Sequence, residues 1–381
     1  MKIVFTKQEL LENLYPVMGT VSNKNTITSL EGVLIETMGG NTVRFSTYDM
    51  NKGTRTVFEA TEVVEGGSYI INAQRLMQII KVMDNGEITL EVDQKLSVKI
   101  SCETSNFTMY AIGGADFPGL PELSGDKGFE IEAEKLRSMI ARVLHSVSDN
   151  ESRPNLCGAY FCIRQNQIKL VSCDAYSLSE CTMECEIKSV GEIEEENFSF
   201  ILPGHALNEI VKLLADKKET VKLYLARKHA ILKTEGLIFF TRLIDGEYFD
   251  YERTKPKDQT IFVTLERDRL ISGLERALLV ADEKGQVSGR NYVKIEISNG
   301  KLMLISTSSS GRVYDEMPCQ HEGEEISIGF NCRYLINNVR ACEADTLRLG
   351  LKSVNQAMTV VPAEEKEGER SFYMLLPVRM S

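Results

Sequence analysis

Two aspartates, four histidines and nine cysteines are the residues of this 381-residue chain with catalytic chemistry to offer. Asp49 and Asp174 end the equivalent stretches NTVRFSTYDM and NQIKLVSCDA, and paired carboxylates can share acid and base roles. The third such stretch, GKLMLISTSS, carries Ser308 instead, so a carboxylate repeated by duplication reads better as a turn residue. His145 and His205 are predicted on helices, His229 on a strand and His321 in a loop, in ordinary surface or core roles. The cysteines form no CxxC and are odd in number, which suits reduced thiols in a cytosolic protein, packed as core filler. Cys181 and Cys185 share a face of a predicted strand, but no histidine stands at ligand spacing; neither metal nor cofactor is expected. GxxxxGK[ST], GxSxG, HExxH and GxGxxG are all missing. The chain does not read as an enzyme.

Cations carry the second chemistry. Basic residues recur seven apart on predicted helices, as Lys135 and Arg142, His205 and Lys212, Arg269 and Arg276, and Arg333 and Arg340. Seven residues are nearly two turns, so each pair returns to within about 20° of one face. Between Arg333 and Arg340 the apolar set Leu335, Val339 and Cys342 points the other way, giving one packed face and one wet, basic face. The six predicted helix segments sum to +4 while the rest of the chain sums to −15, within a total of −11. A basic stripe inside an acidic shell is an electrostatic footprint for a polyanion. Lys81, Lys212, Arg333 and Arg340 are its candidates.

The elements that position these residues come in triplicate. Helices opening at KQELLENL, EAEKLRSMIARVL and ERDRLISGLERALLV align Leu10, Leu136 and Leu270, spaced 126 and 134 apart. The strands that follow align Phe45, Leu170 and Leu304, and second helices align Leu76, Leu207 and Leu335. Closing apolar strands, FTMYAI, FFTRLI and FYMLLP, align Ile112, Ile244 and Leu376 at two spacings of 132. Four landmarks in one order at one period define a domain-sized repeat, too long for a solenoid.

Turn-rich GGADFPGLPELSGDK and polar ERTKPKDQT separate the copies, giving domains 1–125, 126–256 and 257–381, each long enough for its own core. Short alternating segments and the pairs Asn85-Gly86 and Asn299-Gly300 predict antiparallel hairpins. Each domain is therefore α+β, two helices packed on antiparallel sheets. Thr6 and Glu9 match a capping box, and Pro16 is expected to end or kink the first helix near Tyr15. The acidic runs EIEEEN and AEEKEGER read as solvated loops. With 43% apolar and 26% charged residues, no run of 18 apolar residues and no signal-peptide pattern, a soluble cytoplasmic protein is expected, with no membrane partner.

The threefold order, ADFPGL and IDGEYFDY closing the first two copies, IGFN before the sixth helix and the terminal YMLLPVRM resemble the bacterial DNA polymerase III beta subunit family, the sliding clamps. The resemblance covers essentially the whole chain. It implies the DNA-clamp fold, in which two subunits pair head to tail into a ring of six similar domains. Helices line its hole, duplex DNA threads through, and the subunit confers processivity without catalysis. Enclosure plus weak, sequence-independent phosphate contacts suits a protein that must slide, and an acidic rim keeps DNA off the outside.

By that resemblance, Lys24 in SNKNT and Arg153 in ESRPN meet DNA. A groove for short linear motifs of the replicative polymerase alpha subunit, the clamp loader, other polymerases and repair proteins would use Leu156, Cys173, Ala175, Tyr176, Leu178, Phe249, Thr254, Met374, Leu376, Pro377, Val378, Arg379 and Met380. Aliphatic and aromatic walls with one terminal cation suit a peptide with an apolar end. Phe107 on one edge, with Leu279 and Val280 on the other, would form the apolar core of the homodimer contact. The chain departs from the family pattern at Asp174, where Ala-Tyr-Ser follows instead of Gly-His-Arg, at Phe249, where proline is usual, and at the extra Ser381. Two other classes stay open at this point: a ring-forming scaffold that never touches nucleic acid, and an enzyme built on Asp49, Asp174 or the cysteines.

Overall fold

The computed structural model describes all residues except 23–26, 122, 126, 165, 186, 192–196, 216, 282–291, 310 and 381. Lys24 and the acidic run from Glu192 therefore lie outside the described residues. Among the described residues six α-helices follow the threefold reading: α1 Lys7–Met18, α2 Ala73–Val82, α3 Ala133–Leu144, α4 Gly204–Leu213, α5 Arg267–Ala281 and α6 Cys332–Ala341.

The repeat holds to the residue. Leu10, Leu76, Leu136, Leu207, Leu270 and Leu335 are each the fourth residue of their helix, and all are buried. Phe45, Leu170 and Leu304 are likewise the fourth residues of strands Thr42–Tyr48, Gln167–Cys173 and Lys301–Thr307, with no exposure at all. A fixed phase places each of these side chains on the buried face, at helical or at strand period. The fourth landmark behaves differently, for Ile112 and Ile244 are half-buried and Leu376 is exposed, at strand ends rather than in cores.

The strands group into two compact units. The first comprises Met1–Glu134, Lys188–Glu195 and Lys212–Leu243. In it the first copy's sheet continues into strands of the central copy, through antiparallel pairing of Lys52–Glu59 with Leu237–Arg242 in the register Thr54 to Phe239. Gly53 is required at this seam, because a Cβ there would stand 2.3 Å from the Phe240 ring. The unit's larger core gathers Phe5, Leu10, Leu14, Phe45, Leu76 and Ile80 beneath α1 and α2.

The second unit comprises Lys135–Ile187, Glu196–Val211 and Ile244–Ser381. Here Ser177–Glu184 of the central copy pairs with Glu369–Leu375 of the last, with Leu178 opposite Met374 and Glu180 opposite Phe372. Those strands belong to a nine-stranded sheet, and a four-stranded sheet orders Arg312–Pro318, Lys301–Thr307, Tyr292–Ser298 and Ile326–Asn331. Leu270, Leu274, Leu335 and Val339 of α5 and α6 pack into one core with Tyr373.

Several local expectations meet corrections. The capping box is present, with the Glu9 N–H donating to Thr6 Oγ1 at 3.1 Å and the Thr6 N–H to Glu9 Oε2 at 2.8 Å. Yet α1 continues past Tyr15 to Met18, because Pro16 falls in its last turn, removes a single ladder bond and leaves Val17 fully buried. Asn299 and Gly300, at φ of 52° and 70°, do make a hairpin, whereas Asn85-Gly86 joins α2 to strand Glu87–Val92. His145 lies just beyond α3, and His321 sits on the short strand Gln320–Glu322 rather than in a loop.

Candidate functional site: an apolar groove and the exposed helix faces

Asp49 and Asp174 are turn residues. Asp49 Oδ1 accepts from the N–H groups of Asn51 (2.9 Å) and Lys52 (2.8 Å), and Asp174 Oδ1 from those of Tyr176 (2.9 Å) and Ser177 (2.7 Å). Both turns carry a non-glycine residue at φ 78°, Met50 in one and Ala175 in the other. Ser308 heads the third turn, its N–H donating to Gly311 O at 2.9 Å. Burial pushes the thiols of Cys102, Cys157, Cys173 and Cys319 up, Cys181 to about 11 and Cys342 to about 12, away from nucleophilic thiolate character. Among the described residues no group of three His, Cys, Asp or Glu side chains could hold a metal ion.

The turn headed by Asp174 is one wall of a groove. A cavity of about 570 Å³ is lined by Leu156, Cys173, Ala175, Tyr176, Phe249, Thr254, Met374 and Leu376, together with Arg153, Asn155, Ser177 and Glu247. Four stretches far apart in sequence build it. The 3-10 turn Pro154–Leu156 supplies one side, the end of Gln167–Cys173 and the following turn a second, residues 247–254 a third, and the end of Glu369–Leu375 the fourth. The floor is a small core of Val171, Cys173, Leu178 and Met374. Leu178 has no exposure, so it supports the groove from below rather than lining it.

Polar groups sit at the rim. Asn155 Nδ2 donates to the Glu247 carbonyl at 2.8 Å, which ties two walls together. Tyr176 is 61% exposed, and its ring lies 6.1 Å from that of Tyr334 on α6. Burial, then the Asp174 carboxylate, raises the Tyr334 phenol to about 12, so it stays a protonated donor. Past Leu376, whose N–H donates to Tyr176 O at 2.9 Å, the chain turns to the four-stranded sheet: the Val378 N–H donates to Gly329 O at 2.9 Å. Pro377, Val378, Arg379 and Met380 are therefore not among the residues lining the cavity. Arg153, expected on DNA, also lines the groove; Asn155, Ser177 and Glu247 were missed, though each lies inside a stretch singled out for its neighbours.

A buried polar cluster backs the turn. His145 Nε2 lies 2.7 Å from Asn338 Oδ1 and 3.1 Å from Ser179 Oγ, and Ser177 Oγ donates to Asn338 Oδ1 at 3.0 Å. Burial holds the His145 imidazole below its ordinary value, against the hydrogen bond with Asn338 and the nearby Asp174 carboxylate.

The helix faces divide in two. Arg333 and Arg340 are exposed on α6 while Leu335, Val339 and Cys342 are buried, as the spacing requires. Lys81 and Lys212 are also exposed; Lys81 Nζ stands 5.1 Å from the Tyr15 ring centroid. Arg340 pairs with Glu275 at 2.6 Å. Arg142 departs from the expected wet stripe, for its side chain is 7% exposed and lies 2.7 Å from Glu343 and 3.0 Å from Glu369. Burial opposes its charge, and Cys181 and the two carboxylates override that, so it is a structural cation.

The surfaces expected at a subunit contact are open in the protomer. Leu279 is 83% exposed, Phe107 is at the border of exposure and Val280 is half-buried. Among the described residues, 105–110 of strand Ser105–Gly113 pair with Ser97–Cys102 alone, since the neighbour on the other side reaches 111–113. Arg312–Pro318 is an end strand of the four-stranded sheet. No helix of the described residues is long and apolar enough to cross a membrane.

Comparison with known proteins accounts for nearly the whole chain. Residues 1–121, 130–250 and 252–379 match the family models of the DNA polymerase III beta subunit N-terminal, central and C-terminal domains. The Bacillus subtilis (strain 168) beta sliding clamp is 25% identical over 390 residues, and the Pseudomonas putida beta sliding clamp 27% over 383, each with 100% of both chains covered. Among solved structures, the Bacillus subtilis DNA polymerase sliding clamp superposes with a TM-score of 0.90 at 23% identity, over 100% of both chains. A Pseudomonas aeruginosa sliding clamp bound to griselimycin gives 0.89 at 24%, again over 100% of both. At that identity the solved structures speak to the fold, three clamp domains of helices on antiparallel sheets.

Proposed function

The chain belongs to the DNA polymerase III beta subunit family, and from that premise we propose that it is a sliding clamp, a non-catalytic subunit that encircles duplex DNA and tethers partner proteins to it. The observation that carries the reading is the groove, an apolar cavity with a charged rim and an open mouth, built where two copies of the repeat share a sheet. Such a site takes one or two apolar anchors of a short peptide and leaves the rest of the partner free. The partners are the replicative polymerase alpha subunit, the clamp loader, and other polymerases and repair proteins bearing short linear motifs. The domains run 1–125, 126–256 and 257–381, and the protein works in the cytoplasm.

Two further features support a ring. The open edge at 105–110 and the end strand Arg312–Pro318 offer unpaired backbone groups, which head-to-tail pairing of two copies would satisfy. Phe107, Leu279 and Val280 supply the apolar contact beside those edges. The hole is lined by helices with few net positive charges, so binding rests on enclosure, with Lys24, Lys81, Arg153, Lys212, Arg333 and Arg340 as weak phosphate contacts.

Retention on circular DNA tests this. Loaded protein should stay on a nicked circle at high salt and leave once the circle is cut; loss from the intact circle at that salt would refute enclosure.

A further inference from the structure

One wall of the groove has little regular structure. Residues 245–250 are irregular, and the 3-10 turn Tyr251–Thr254 follows; between them they bring Glu247, Phe249 and Thr254 to the cavity. The nearby backbone bond, from the Tyr251 N–H to Phe249 O at 2.8 Å, is local and cannot fix the wall against the rest of the groove. Side chains do that at both ends. Tyr248 stacks on Tyr160 with centroids 5.2 Å apart, and Asn155 holds the Glu247 carbonyl.

The other end is held by Lys255. Its Nζ lies 2.6 Å from Glu180 and 3.0 Å from Glu252, and 5.2 Å from the ring centroids of both Tyr251 and Phe372. The Glu180 side chain is only 12% exposed, with Lys169 as its second partner at 3.7 Å. Glu180 stands on Ser177–Glu184, the strand that opens at the groove's turn, and directly opposite it is Phe372, two residues before Met374. One ammonium thus joins the irregular wall to two strands that reach the groove, Ser177–Glu184 through Ser177 and Glu369–Leu375 through Met374. It is absent from the cavity lining.

Resting on the groove reading above, we propose that Lys255 is a positioning residue for partner binding: with Glu180 it clasps residues 245–254 against the two strands and sets the width of the groove without touching the peptide. The Lys255–Glu180 pair, at 2.6 Å and poorly exposed, is the closest contact of a network in which Lys169 lies 3.7 Å from Glu180 and 3.4 Å from Glu252, so removing either partner leaves the other with a more distant counter-ion. Arginine keeps the positive charge and can stack on the two rings, whereas methionine keeps only the stem over the rings.

The probe is a labelled synthetic peptide with a glutamine near its start and a Leu-Phe end, titrated by fluorescence anisotropy. Lys255→Met and Glu180→Gln should each raise its Kd about tenfold, and the double variant should be no worse than the weaker single one. Lys255→Arg should restore most of the affinity. In the free protein, amides of residues 245–254 should exchange about tenfold faster in Lys255→Met, with strand Gln167–Cys173 unchanged. Unchanged exchange, a Kd within about twofold of the parent, or additive single effects would each overturn the clasp. Equal loosening of the strand, or no rescue by arginine, would also overturn it, since the residue would then be supporting the fold at large. Failure of the parent protein to bind the peptide would sink the groove reading, while the exchange experiment would still decide the clasp.

Discussion

Leu279→Asp should turn the protein into a monomer without disturbing the protomer. Leu279 is 83% exposed in the single chain, so an aspartate there meets water and costs the fold almost nothing. In the proposed head-to-tail dimer the same position would be covered. Losing a buried leucine contact costs about 2 kcal/mol, and an uncompensated carboxylate in its place adds about 2 kcal/mol more. A closed dimer contains that contact twice, so the substitution counts twice, for about 8 kcal/mol in all. At 1.4 kcal/mol per decade this weakens dimerisation by between five and six orders of magnitude. Sedimentation velocity at micromolar protein should then move from about twice the 42.8 kDa chain mass to a single chain, with an unchanged circular dichroism spectrum. A variant that still sediments as a dimer at one micromolar would refute the contact, and with it the assignment of this edge to ring closure. A changed circular dichroism spectrum would show that Leu279 supports the protomer, contrary to its exposure.

The groove turn offers a second test, because Ala175 holds φ 78°, where an L-residue costs about 1–2 kcal/mol and glycine gives back about 0.5–1 kcal/mol through unfolded-state entropy. Ala175→Gly should therefore stabilise by about 0.5–1 kcal/mol in urea unfolding, and a lowered midpoint would argue against strain at this turn. Leu376→Asp, at an exposed lining position, should abolish peptide binding in calorimetry while leaving the melting temperature within about 2 °C of the parent. It is a cleaner probe than Leu178→Asp, which would place a carboxylate in the fully buried floor. Because the folded state binds the His145 proton more weakly than the unfolded chain, its contribution to stability is complete above the ordinary value of 6.5 and lost as the pH falls below it. His145→Gln should flatten the fall of melting temperature between pH 7 and about 5, and an unchanged pH profile would refute that assignment. Arg333→Ala with Arg340→Ala should lower the slope of log K against log salt for linear DNA by about 1–2, equally for all sequences.

The repeat was written in the sequence because burial phase is local. Apolar residues at the fourth position of each helix and strand declare which face is covered, and a period of about 130 residues declares how often the unit recurs. The same logic revealed the wet face of α6, and it read Asp49 and Asp174 as turn residues, whose bonds reach only two or three positions ahead. Periodicity is silent on what covers a face. The central copy contributes strands to two different sheets, an outcome set by hydrogen-bond partners such as Glu180 with Phe372, 192 positions apart in the chain. The groove exists only because that pairing brings the turn after Cys173 beside Met374 and Leu376. Likewise, spacing placed Arg142 on the same helical stripe as Lys135, but Glu343 and Glu369 arrive from the last copy and draw its guanidinium inside. Leu178 and Leu376 look alike as apolar residues at strand ends. Tertiary packing buries the first under the groove floor and leaves the second at its mouth, because a side chain's depth depends on segments that its own neighbours in sequence cannot specify.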